Sequence, residues 1–401
     1  MKRWSANLAL VIVAIALGIL LFEIGLRMAG ISYPTFYTWD EYRGFALRPG
    51  AEGWYRSEGE AYLRINSAGL RDREHTKIKP ANTLRVAILG DSYAEARQVS
   101  REETFWAVLE RDLAKCSCLN GKHVEVINFG VSGYGTAQEL MTLRHKVWDY
   151  SPDIVILAFL TGNDVTDNLR AFESDPMRPY FVYRNGELVL DDSFRNLAGY
   201  RARQTLAASL AYSVVDYSRV VQLLNQARHK VVAYMRHTQP NKKEDKNRDE
   251  EIGLDDRIYS EPSDPLWQEA WRVTEGLIVL MRDEVKKNGA DFWVITLSNA
   301  MQVYPDPSVR QAFMERLGVR TLFYPDLRIK SLGEREGFSV VNLAHKFQLY
   351  ADQRKVFLHG FNSNMGGGHW NANGHRLAGE TIAENLCDDI AGESRMGREQ
   401  Q

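Results

Sequence analysis

Four short stretches of this chain carry residue types suited to nucleophilic chemistry. The first is Ile88-Leu89-Gly90-Asp91-Ser92-Tyr93, where a serine follows an apolar run and a glycine. A serine hydroxyl is a weak nucleophile until a neighbouring base takes its proton. If the apolar run is a strand and the chain then turns into a helix, backbone N–H groups near Ser92 face a developing oxyanion. Taken alone, Gly-Asp-Ser is weak evidence and reads better as an ordinary strand-to-helix turn with serine as the cap. The second stretch is Asn128-Phe129-Gly130-Val131-Ser132-Gly133-Tyr134-Gly135. Its glycines mark a backbone that turns sharply or approaches another group closely. The third, Leu160-Thr161-Gly162-Asn163-Asp164, offers a side-chain amide donor at Asn163. The fourth, Gly366-Gly367-Gly368-His369-Trp370-Asn371-Ala372-Asn373-Gly374-His375, holds His369 in a glycine-rich loop ahead of a helix. A base for Ser92 has to be held on such a shaped loop to reach across a sheet edge.

In this order, each of the first three behind its own apolar run, the four stretches resemble the sequence blocks of the SGNH hydrolase superfamily, the GDSL esterases and lipases. The resemblance covers roughly residues 83–385, with residues 165–265 as an insertion outside it. It implies Ser92 as nucleophile, Gly133 and Asn163 as oxyanion-hole donors, His369 as general base, and no cofactor or metal. Asp91 and Asp164 would hold the local turns through side-chain-to-backbone bonds. His375, in the first turn of the following helix, would pack and hydrogen-bond in support of the site. Two departures stand out. Thr161 occupies the place of the third block's usual first glycine. More importantly, the family's fourth block is Asp-x-x-His, and the position three before His369 is Gly366. The acid that fixes the histidine tautomer is missing from its usual place, and its loss is costly. Either a backbone carbonyl of the glycine-rich loop accepts the Nδ1–H of His369, or a carboxylate from elsewhere does, Asp352 being one candidate. Trp370 and Tyr134 either flank a sugar ring or belong to the core.

The elements that must position these groups are legible as apolar runs. Leu84–Leu89, Val124–Phe129, Ile154–Leu160, Phe292–Leu297 and Phe338–Leu343 are short, continuous and rich in Val and Ile, as strands covered on both faces are. Helical stretches lie at Thr104–Lys115, Thr136–Trp148, Leu266–Lys287 and Gly374–Asp389. The alternation predicts an α/β fold: a flavodoxin-like three-layer sandwich with a central parallel sheet of about five strands and its chemistry at the strands' carboxyl ends. Within the insertion, Pro179–Leu190 reads as a hairpin turning at Asn185-Gly186. Leu206, Leu210, Val214, Tyr217, Val221, Leu224 and Val231 then recur at helical spacing. That stripe is expected to pack on the body; the alternatives are a cap over the site or a surface for an envelope partner. Residues 239–256 read as a charged, mobile linker.

Lys2 and Arg3 precede a nearly uncharged run from Ala6 to Phe22, with apolar residues continuing to Gly30. The run is long enough to span a bilayer, and the leading positive charges keep the N-terminus cytoplasmic and the rest outside. A cleaved signal peptide is the alternative. The organisation expected is therefore an anchor over 1–30, a strand-rich lead-in over 31–82, a catalytic domain over 83–390 and a disordered tail over 391–401. A formal net charge of -2 supplies no basic field for nucleic acid. There is no Walker loop, His-Glu-x-x-His or Cys-x-x-Cys. Cys116, Cys118 and Cys387 show no disulfide framework and read as loop or half-buried thiols.

The function expected is a membrane-anchored periplasmic or cell-surface esterase that removes an acyl group, acetyl first, from an extracytoplasmic glycan or lipid. The alternatives are an O-acyltransferase for an exported polysaccharide that uses the same site, and a catalytically weak glycan-binding module.

Overall fold

Five of the apolar runs pair side by side in parallel. In the computed structural model, which describes residues 2–173, 175–237 and 255–399, they are β1 (Thr83–Gly90), β2 (His123–Asn128), β3 (Ile154–Leu160), β4 (Asp291–Leu297) and β5 (Ser339–Asn342). The sheet order is β5-β4-β3-β1-β2, the flavodoxin-like order. Every pairing is parallel, with Ile88 opposite both Asn128 and Ile156, and Ile295 opposite Ala158.

The runs are apolar on both faces because helices cover both. Along β1, Ala87 and Leu89 join one core cluster while Val86 and Ile88 join the other, as the pleat requires. The second cluster is closed by α2 (Phe105–Leu113), through Phe105 and Leu109. The first is closed by α3 (Thr136–His145), through Leu140 and Met141. In the insertion come α4 (Leu206–Tyr217) and α5 (Arg219–His237). Next is α6 (Pro265–Lys287), whose Trp267, Trp271 and Leu277 enter the first cluster. Asp264 caps α6 by accepting from Leu266 and Trp267, with Pro265 at its first position. The last helix, α7 (Ala372–Glu399), lies along α2 and adds Leu377, Ile382 and Leu386 to the second cluster. It runs on to Glu399, where the sequence had pointed to a disordered tail from 391.

Residues 31–82 form two antiparallel hairpins, Tyr37–Asp40 with Gly44–Leu47 and Glu52–Tyr55 with Ala61–Arg64. The insertion hairpin pairs Tyr180–Arg184 with Glu187–Asp191 and turns at Asn185-Gly186, both at positive φ as a two-residue type I′ turn needs. The N-terminal run forms α1 (Lys2–Met28, preceding all of these), and its segment Asn7–Met28 is long and apolar enough to cross a membrane.

Two further expectations fail. The stripe of α4 and α5 does not pack on the body: Leu206, Leu210, Val214, Tyr217, Leu224 and Val231 are all exposed. The cysteines are not three thiols. Cys116 is bridged to Cys387, with Cα atoms 5.8 Å apart, because α7 beside α2 brings Cys387 to the loop after α2. Cys118 remains free. The charged linker lies outside the described residues but for Asp255 and Asp256, and Asp256 opens a short 3₁₀ turn.

Candidate active site

The sheet order reverses beside β1, and the loops after β1, β2 and β3 meet at its carboxyl edge. The chain leaves β1 through Asp91 into a single helical turn, Ser92–Glu95. Asp91 accepts from the Tyr93 N–H at 2.9 Å. The turn ends at Ala96, which has φ 53°. The buried Arg71 guanidinium closes it from outside by donating to the carbonyls of Glu95, Ala96 and Val99. Gly130 explains part of the second motif. A Cβ there would lie 2.3 Å from the Cβ of Ala94, so only glycine lets the loop after β2 pack against the Ser92–Glu95 turn. The Glu95 carboxylate then ties that loop down, accepting from the Ser132 N–H at 2.6 Å and from the Tyr37 hydroxyl.

His369 reaches the same edge from the far end of the chain. Its Nε2 lies 2.8 Å from Ser92 Oγ. Its Nδ1 lies 2.6 Å from Oε2 of Glu58, whose Oε1 accepts from the His369 backbone N–H at 2.8 Å. With the proton on Nδ1 donated to Glu58, Nε2 is left as acceptor for the serine hydroxyl. Burial works to raise the Glu58 pKa, but the side-chain bond and charge of His369 outweigh it and hold the carboxyl below the usual range. The carboxylate is therefore ionised at neutral pH and fixes both the ring and the backbone of His369.

Glu58 was not singled out in the sequence. It sits in the turn of the second lead-in hairpin, 311 residues from its partner. Two glycines make its seat. A Cβ at Gly59 would stand 2.4 Å from the Gln98 carbonyl oxygen, and one at Gly368 would stand 2.1 Å from Glu58 Oε1. Both earlier candidates for the orienting acceptor fail. Asp352 is engaged by the Arg310 guanidinium at 2.8 Å on each oxygen. The loop carbonyl of Gly368 accepts from His359 Nδ1 at 2.7 Å and from the Tyr93 hydroxyl at 3.1 Å. Nor would an acid fit at Gly366, where φ is +90° and a Cβ would lie 2.6 Å from the Tyr304 ring.

The other named residues fall into place as follows. Asn163 follows β3 and its amide lies 3.4 Å from Asp91 Oδ2, so it reaches the residue that precedes Ser92. Gly133 sits at φ +79°, its carbonyl held by the Arg178 guanidinium from the insertion. Asp164 accepts from the Leu160 N–H at 2.8 Å and holds the loop after β3. Burial raises the pKa of Asp91 to about 6, and burial with the charges of Glu139 and Asp91 raises that of Asp164. His375 touches neither Ser92 nor His369; its Nδ1 accepts from the Phe105 N–H at 3.3 Å, joining α7 to α2. Trp370 and Tyr134 are wholly buried and cannot flank a sugar: Trp370 Nε1 donates to Ser298 Oγ and the Tyr134 hydroxyl to the Phe45 carbonyl.

Comparison with known proteins adds the following. No family model matches the chain, and no curated protein matches it. Among solved structures, an acetyl xylan esterase aligns at 12% identity over 76% of this chain and 100% of its own, with a TM-score of 0.38. A putative lipolytic protein of the G-D-S-L family from Desulfitobacterium hafniense DCB-2 aligns at 13% over 75% of this chain and 98% of its own, with a TM-score of 0.33. A catalytic mutant of an acetylxylan esterase from Geobacillus stearothermophilus aligns at 12% over 79% and 96%, with a TM-score of 0.37.

A second, fully buried histidine holds the loop that carries His369. His359 bridges Trp370 in antiparallel fashion, donates through Nδ1 to Gly368, and has Nε2 3.1 Å from Ser298 Oγ. Burial lowers its pKa from 6.5 to about 4. A base with a depressed folded-state pKa contributes its full stability above the unfolded value and loses it as pH falls toward the folded one. In His359→Gln, the amide keeps a donor for Gly368 but no longer titrates. The stability advantage of the wild type over this variant is expected to shrink by about 2–3 kcal/mol between pH 7 and 4.5 in urea unfolding.

Proposed function

We propose that this chain is a serine esterase of the SGNH type, working through an acyl-enzyme on Ser92. The observation that carries the reading is the unbroken chain Ser92–His369–Glu58, with contacts of 2.8 and 2.6 Å. His369 Nε2 takes the proton of Ser92 as Oγ attacks the ester carbonyl carbon. Glu58 stabilises the imidazolium without taking its proton. The backbone N–H groups of Ser92 and Gly133 and the Asn163 amide are assigned to the oxyanion, each such donor contributing about 2.7–4 kcal/mol. The alcohol leaves with the proton from His369. Water then gives a proton to His369 and attacks the acyl carbon; the bond to Ser92 Oγ breaks, Oγ takes the proton back from His369, and the acid is freed.

The substrate we assign is an acyl ester, acetyl first, on an extracytoplasmic glycan or lipid. Two features support placement outside the cytoplasm on a retained anchor. Glu23 of α1 accepts from Ser218 Oγ, Arg219 N–H and Val220 N–H, so the end of α1 is tied to the start of α5. The Cys116–Cys387 bridge suits an oxidising compartment. The binding-module alternative loses its ground, since Glu58 supplies the acid whose absence suggested it.

The test uses the full chain in nanodiscs with aryl esters of increasing acyl length. The expected result is a burst of phenol and an acyl adduct of Ser92 by mass spectrometry, strongest for acetyl. No adduct on Ser92 would overturn the esterase reading. Acyl groups appearing on an added sugar in preference to water would assign the same site to transfer.

A further inference from the structure

The exposed stripe of the insertion is a feature the site leaves unused. The twelve residues of α4 contain one charged residue, Asp216. Leu206, Leu210, Val214 and Tyr217 follow one another at helical spacing and are 77, 60, 56 and 77% exposed. Leu224 and Val231, on α5, are exposed as well. A contiguous patch of this kind marks an interaction surface.

What covers it is indicated by its neighbour. Helix α1 meets α4 and α5 at one junction. Glu23 caps the start of α5 through the Arg219 and Val220 N–H groups, each at 3.0 Å, and Arg27 donates to the carbonyl of Tyr217 at the end of α4. The Tyr33 N–H donates to Gln222 of α5 at 2.9 Å. Glu23 and Arg27 lie in the last turns of the segment Asn7–Met28, so the stripe begins where that segment would leave a bilayer. Charge agrees. Residues 198–237 hold Arg201, Arg203, Arg219, Arg228, Lys230 and Arg236 against the single acid Asp216. Apolar faces with basic flanks are the pattern of helices that lie in a lipid interface.

We propose that α4 and α5 form a second membrane contact, lying in the interface of the bilayer that α1 spans, with Leu206, Leu210, Val214 and Tyr217 toward the acyl chains. The inference rests on α1 being a retained anchor. One spanning helix leaves the body free to swing; a second contact fixes its orientation. The hairpin that carries Glu58 packs at its outer end, through Gly53, against Pro34 just beyond α1, so the active site is held at a set height above the lipid.

The experiment places single spin labels on the full chain in a Cys118→Ser background, in nanodiscs of phosphatidylethanolamine and phosphatidylglycerol. The sites are Leu210→Cys, Ile15→Cys within α1, and Ile78→Cys, an exposed position on the body. Accessibility is read as collisions with oxygen against a water-soluble nickel chelate. The expected result is that labels at 15 and 210 both favour oxygen by several fold, while the label at 78 favours nickel. If 15 favours oxygen and 210 behaves like 78, the second contact is overturned and the anchor stands. If 15 itself favours nickel, the anchor reading falls and takes this inference with it. Spin–spin broadening at 210 that disappears when labelled chain is diluted with unlabelled chain would instead assign the stripe to a second copy of the chain and overturn the lipid.

Discussion

Glu58→Gln is expected to lower kcat by about 10⁴-fold, with the fold intact. The carboxylate does two things for His369: it selects the tautomer with the proton on Nδ1, and it offsets the positive charge that forms when Nε2 takes the serine proton. A glutamine of the same shape does neither, since its amide can present N–H to Nδ1 and hold the wrong tautomer. It still keeps an oxygen for the His369 backbone N–H, so thermal unfolding should move little. The test is kcat on an aryl acetate beside the unfolding temperature. Adding Gly366→Asp to this variant should not restore activity, although it recreates the Asp-x-x-His spacing. Position 366 has φ +90°, and its Cβ would press on the rings of Tyr304 at 2.6 Å and Phe357 at 2.9 Å. Near-normal turnover in Glu58→Gln would mean that the 2.6 Å contact to Nδ1 has no part in the reaction.

Ser92→Ala is expected to cost more, about 10⁶-fold in kcat, because no acyl-enzyme can then form. The substitution removes one oxygen from a turn whose shape is set elsewhere, by the Asp91 cap on the Tyr93 N–H and by the Arg71 clamp on Glu95, Ala96 and Val99. Alanine also suits a helical turn, so stability should be unchanged. The acyl adduct on this residue should vanish with the turnover. Groups that act as one unit do not add: Ser92→Ala/Glu58→Gln should be no slower than Ser92→Ala alone. A double variant slower by a further 10⁴ would mean that Glu58 acts on its own rather than through His369.

The amino-acid sequence by itself determined the parts whose physics is local. A strand covered on both faces must be apolar along its whole length, so all five strands of the sheet were readable to within a residue or so at each end. The turn at Asn185-Gly186 was readable because few other residues adopt two successive positive φ values. Ser92, Asn163 and His369 were named through the order of the four stretches and the family resemblance that this order carries; taken singly, each read as an ordinary turn or loop. Only the tertiary structure decided the rest. Glu58 meets His369 across 311 residues of chain, and no periodicity records such a meeting; Gly59 and Gly368 carried a trace of it, but a glycine shows only that something comes close. Cys387 found Cys116 because two helices pack side by side. Trp370 and Tyr134 went to the core, and the α4 stripe went to the surface, because the same apolar residue serves either place. Which it serves depends on what surface lies opposite, and that is a property of the folded molecule.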